Sequence, residues 1–107
     1  MFTLSKDTEL KDLGGGVARR VLSHADDMMA VEVCFETGAV GSLHTHPHVQ
    51  ISYVLEGSFE ATIGEEKRVI TVGDTYYTLP NVAHGVVCLK KGRLLDVFTP
   101  ERKDFLK

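Results

Sequence analysis

A chain of 107 residues fits one compact domain and leaves no room for a second. Hydrophobic residues at 43% and charged residues at 25% are ordinary for a globular protein, and a net charge of −3 without clustered Lys and Arg argues against a nucleic-acid footprint. No run approaches the ~18 apolar residues of a membrane span, and Lys6, Asp7 and Glu9 interrupt the first ten residues where a secretion signal would be apolar.

Residues 1–16 read as an N-terminal segment that ends in a flexible glycine-rich lead-in, Gly14-Gly15-Gly16. A phosphate-cradling loop would need a P-loop pattern and a following helix, and neither is present. From Val17 onward strand signals dominate. The segments 17–23, 28–36, 49–56, 59–63, 67–72, 75–79, 86–89 and 93–98 are short and rich in Val, Ile, Tyr and Leu. Turn residues separate them at Asp26-Asp27, Thr37-Gly38, Glu56-Gly57, Gly64-Glu65, Gly73-Asp74 and Lys91-Gly92. This spacing predicts an all-β barrel or sandwich over residues 17–99, with 100–107 as a C-terminal tail. The basic pairs Arg19-Arg20, Lys67-Arg68 and Lys90-Lys91 read as solvated positions, and His24 reads as a turn residue. Cys34 and Cys88 lack a C-x-x-C spacing and are expected as buried thiols, which points to a reducing, cytoplasmic compartment.

Strand parity adds detail. Gln50, Ser52 and Val54 share one face, while Ile51, Tyr53 and Leu55 share the other, an apolar face that must be covered. A polar amide followed by a small serine suits a cavity. In the last strand Leu94, Asp96 and Phe98 share a face, and an aspartate there is costly to bury without a partner. Pairing of the apolar Ile51 face predicts a homodimer.

Histidines concentrate at His44-Thr45-His46-Pro47-His48 and at His84. Residues i and i+2 of an extended strand point the same way, so His44 and His46 can converge on one ion. Gln50 keeps that parity, and His84 arrives from a distant strand. Three imidazoles and one amide are ligands for a divalent first-row metal, and Zn, Ni, Fe and Mn all suit them. With neutral ligands the ion keeps its full charge and attracts carboxylates and enolates. His48 reads either as a rim residue that touches a ligand or as an exposed loop histidine. Cys88 shares parity with His84 and is expected to line the same pocket.

The pattern Gly38-x5-His44-x-His46-x3-Gln50-x6-Gly57, followed by Gly73-Asp74, Pro80 and His84, resembles the two motifs of the cupin superfamily. Gln50 stands where most members carry Glu, and Pro80 lies one position late. The resemblance implies a double-stranded β-helix (jelly-roll) barrel. Residues 44–57 (HTHPHVQISYVLEG), 80–85 (PNVAHG) and 95–102 (LDVFTPER) resemble more closely the KdgF-type pectin-degradation cupins, where Gln is the expected third ligand. Leu79 departs from a proline common there. This resemblance implies conversion of 4,5-unsaturated uronates from pectin or alginate to linear keto forms. It assigns a catalytic role to Asp96 and substrate contacts to Phe98 and Arg102. Chemistry agrees: ring opening leaves an enol that must gain a proton at carbon, which calls for a cation and a proton shuttle. The plainer alternatives are a core carboxylate at Asp96, a core ring at Phe98 and a solvated Arg102. Two other functions use the same ligands. One is an Fe(II)-type dioxygenase, against which the missing carboxylate ligand weighs. The other is a non-catalytic module that binds a sugar acid.

Overall fold

The computed structural model describes residues 1–106. A 3-10 turn at Ser5–Asp7 precedes eight strands: β1 (Leu10–Gly14), β2 (Val17–Ala25), β3 (Met28–Phe35), β4 (Val40–His44), β5 (Val49–Ile63), β6 (Glu66–Thr71), β7 (Thr75–Thr78) and β8 (His84–Thr99). A second 3-10 turn, Lys103–Leu106, closes the described chain. The all-β, single-domain jelly roll expected from the sequence is the fold observed. Strands follow the order β1-β2-β3-β8-β5-β6, with β4 added to β8 and β7 added to β5. The outermost strands β1 and β6 do not pair with each other among the described residues, so the barrel is open.

Two long strands organise the molecule. β5 and β8 pair antiparallel from Val49↔Thr99 to Ile63↔His84. Glu56-Gly57 and Lys91-Gly92, expected as turns, lie inside these strands, where the register shifts between Val54 and Phe59. The reason is close approach of two backbones. A Cβ on Gly57 would fall on the carbonyl oxygens of Lys90 and Lys91, and one on Gly92 on that of Glu56. Glycine lets the strands bulge and bend without ending the ladder. The first half of β5 and the second half of β8 then form one layer with β1, β2, β3 and β7. Their other halves form the second layer with β4 and β6. The core between the layers draws Phe35, Val54, Phe59, Ile70, Val86 and Leu94 from both.

Both ends of the chain are more structured than expected. Gly14, Gly15 and Gly16, at φ +81°, +63° and +83°, form the turn of a β1–β2 hairpin and not a flexible lead-in. Three successive positive φ values are a conformation only glycine adopts without strain. The tail folds back. His24, expected as a turn residue, sits in β2 with Nδ1 2.9 Å from the buried Glu101 carboxylate, and Phe105 packs on a small core of Met29, Val31 and Phe98. Cys88 is buried, but it packs into the main core and does not reach the pocket. Cys34 is only half-buried, because alternation in β3 sets it beside Glu32 on the outward face. Among the described residues no helix is long and apolar enough to cross a membrane.

Candidate metal centre

β4 ends on His44, which pairs across the sheet with His84, the first residue of β8. The chain then leaves the strand, so His46 comes from the irregular segment around Pro47 and not from strand alternation. Gln50 lies on β5 between Thr78 of β7 and Phe98 of β8. One ligand atom from each of His44, His46 and His84 falls within 4.8 Å of the others, a cluster that could hold a metal ion. His46 and His84 are buried and His44 is exposed.

The hydrogen bonds set the chemistry of this cluster. Each Nδ1–H donates to a nearby backbone carbonyl: His44 to Ser42 at 2.8 Å, His46 to His48 at 3.1 Å and His84 to Val82 at 2.8 Å. A neutral imidazole so held keeps a lone pair on Nε2. The Gln50 Oε1, itself an acceptor, lies 2.9 Å from His46 Nε2 and 3.1 Å from His84 Nε2. Lone pairs that face one another at this distance need a cation among them. A proton is a poor candidate, because burial pushes the His84 pKa down to about 4 and lowers that of His46. A divalent ion fits the donor set.

Behind Gln50 runs a buried relay. Its Nε2–H donates to Ser52 Oγ at 2.8 Å, and Ser52 Oγ–H donates to Asp96 Oδ1 at 2.6 Å. An ionised carboxylate only accepts, so the hydroxyl proton points to Asp96 and the hydroxyl lone pair receives the amide. The amide oxygen is thereby turned toward the histidines. Burial pushes the Asp96 pKa up to about 6, against the opposing bond from Ser52 and the charge of Arg102. Burial and the Asp96 charge together push the hydroxyl of Tyr76 upward.

A cavity of about 270 Å³ opens onto His44, Gln50 and His84, with Asp96, Phe98 and Arg102 along its wall. Phe98 stands edge-on to His46 at 5.6 Å between centroids. Arg102 is not a solvated tail residue. Its guanidinium lies 4.2 Å from the Phe105 centroid and 5.1 Å from that of Phe98, and it donates twice to Asp104, at 3.1 and 3.0 Å. His48 is half-buried, edge-on to His46 and to Phe98, and does not line the cavity. Arg19, expected as a solvated partner of Arg20, is half-buried on the cavity wall with its guanidinium 3.8 Å over the Phe105 ring. The alternation Val17, Arg19, Val21 is the signal in the sequence: Val17 packs on the core, so its strand face points inward. Ser52 and Tyr76 also belong to the site, although in the sequence only the small size of Ser52 hints at it.

Residues 31–98 match the model of the cupin domain family. The chain is 44% identical over 107 residues to the pectin degradation protein KdgF of Dickeya dadantii, covering 98% of this chain and 97% of that one. Among solved structures, a RmlC-like cupin of Shewanella frigidimarina superposes with a TM-score of 0.94 at 42% identity, covering 97% of this chain and 94% of the other. KdgF from Halomonas sp. superposes with a TM-score of 0.93 at 36% identity, covering 98% and 99%.

Proposed function

The chain belongs to the cupin family and, within it, to the group of KdgF-type pectin degradation proteins, and from that footing we propose that it converts 4,5-unsaturated uronates to linear keto forms. The observation that carries the reading is the buried Asp96 carboxyl beside a cation-seeking donor set in one cavity. His44, His46, Gln50 and His84 would hold one divalent ion, with Zn, Ni, Fe and Mn all compatible. When bound, such an ion supplies positive charge for an enol oxygen as it loses its proton.

The atoms balance within the sugar. The C1–O5 bond of the hemiacetal breaks as the O1–H proton leaves, which gives an aldehyde at C1 and an enol at C5. The enol then loses its O–H proton while C4 gains one, and C5 becomes a ketone. Asp96 delivers and recovers these protons. Its raised pKa, about 6, keeps both protonation states accessible near neutrality. Phe98 and Arg102 form the wall against which the sugar rests, and His48 backs Phe98 at the rim. Metal-loaded protein mixed with unsaturated uronate monosaccharides should abolish the ultraviolet absorbance of the C=C bond without consuming oxygen. Persistent absorbance would overturn the reading, and oxygen uptake would favour a dioxygenase.

The relay predicts a role for Ser52. Ser52→Ala should weaken metal binding about 10- to 100-fold, because the Gln50 amide loses the partner that orients it. Competition with a chromophoric chelator measures this, and an unchanged affinity would remove Ser52 from the site.

The same reading makes the protein a cytoplasmic homodimer. Two free cysteines support the compartment. Ile51, Tyr53 and Tyr77, at 49%, 41% and 52% exposure, leave the outer face of β5 and β7 apolar and uncovered, which supports the dimer. Sedimentation at micromolar concentration should give twice the chain mass, and Tyr53→Lys should halve it. A monomer at every concentration would refute the assembly.

A further inference from the structure

We infer that Arg19 is the ionic anchor of the cavity, the group that takes the carboxylate of a bound sugar acid. The inference rests on the preceding reading of the cavity as a sugar-acid site. Two arginines reach that cavity, and they differ in what they already hold. Arg102 presents one edge of its guanidinium to Asp104 through Nε and Nη2, at 3.1 and 3.0 Å. A ligand carboxylate would have to displace Asp104 from that edge. Arg19 makes no ion pair and no hydrogen bond among the described residues, and the charge of Asp104 reaches it only from beyond contact. Its guanidinium face rests on Phe105 at 3.8 Å. Stacking occupies the face of that plane and leaves the N–H donors along its edges available.

Its neighbour shows what a structural arginine looks like in the same strand. Arg20 points the other way and is tied to Thr8 at 2.9 and 3.2 Å and to Glu32 at 3.6 Å. Arg19 has lost part of its hydration and has gained no hydrogen-bonded partner in exchange, and the cost of that burial lowers its pKa. An arginine in this range remains charged. A partly desolvated guanidinium with open donors, on the wall of a cavity that also holds cation ligands, is suited to a carboxylate in two-pronged contact. Phe105, which carries the stacked group, comes from the tail that His24 and Glu101 fasten to β2.

The test uses full-length, metal-loaded protein titrated calorimetrically with D-galacturonate and with D-galactose, a pair that differs in the carboxylate. The unmodified protein should prefer galacturonate by at least about tenfold. Arg19→Gln should erase that preference through a roughly 10- to 100-fold loss in galacturonate affinity, with metal content and far-ultraviolet circular dichroism unchanged. Arg19→Lys, which restores the charge without the fork, should recover part of it. Added salt should weaken galacturonate binding to the unmodified protein more than to Arg19→Gln. Galacturonate binding by Arg19→Gln at the unmodified affinity, or no preference for the acid in the unmodified protein, would overturn the inference. Protein that binds galacturonate through Arg19 but leaves unsaturated uronates unconverted would overturn the ketonisation reading and leave the anchor standing.

Discussion

Asp96→Asn is expected to fold, to keep its metal and to lose about 10²–10⁴-fold of its turnover of unsaturated uronates, the range for a general acid–base group. The substitution keeps the shape of the side chain. The Asn oxygen can still accept from Ser52 Oγ–H, which lies 2.6 Å from Asp96 Oδ1, so the Ser52–Gln50 contact and the direction of the amide are preserved. What is lost is a group that can both give and take a proton. Asp96 is 9% exposed on the cavity wall, and its neighbours Leu94 and Phe98 offer no proton in its place. Metal content by mass spectrometry and turnover by absorbance decay separate the two effects. If the variant ketonised unsaturated uronates at the unmodified rate, Asp96 would be a structural carboxylate whose work is to orient Ser52.

The second large effect is expected from removing two imidazoles together. His46→Ala with His84→Ala takes away both Nε2 donors that face Gln50 Oε1, at 2.9 and 3.1 Å, and leaves only His44 and the amide. Bound metal should fall to background in protein that still folds, because neither ring belongs to the main apolar core. Turnover should fall by at least about 10³-fold, which corresponds to several kcal/mol of lost charge stabilisation. Chelation of the unmodified protein should reproduce the loss, and readdition of metal should restore it there but not in the double variant. Retention of one ion per chain by the double variant would move the metal site elsewhere.

Much of the site is legible in the amino-acid sequence, because strand alternation is a local property. Gln50, Ser52 and Val54 face inward, as do Leu94, Asp96 and Phe98, and each set follows from a period of two along its own segment. The histidine spacing is legible for a similar reason, although His46 reaches the cluster from an irregular turn and not from the strand geometry that suggests it. Gly57 and Gly92 are where local signals mislead. Glycine beside a charged residue looks like a turn, and only the opposing backbone shows that these two glycines make room for a close approach of β5 and β8 where the paired strands bulge.

By itself the sequence determined the all-β class, the inward faces of the strands, and the residue types that can serve as ligands and proton carrier. These depend on side-chain chemistry and on a two-residue repeat that neighbouring residues set among themselves. Tertiary structure alone decided who meets whom. Ser52 bonds to Asp96 because the β5–β8 register sets them opposite each other, and a slip of one strand by one residue would have turned its member of the pair to the other face. Arg19 meets the Phe105 ring because the tail folds back onto the sheet and packs against Met29, Val31 and Phe98. Contacts of that kind join residues far apart in the chain, and their geometry depends on the packing of both layers, which no single segment encodes.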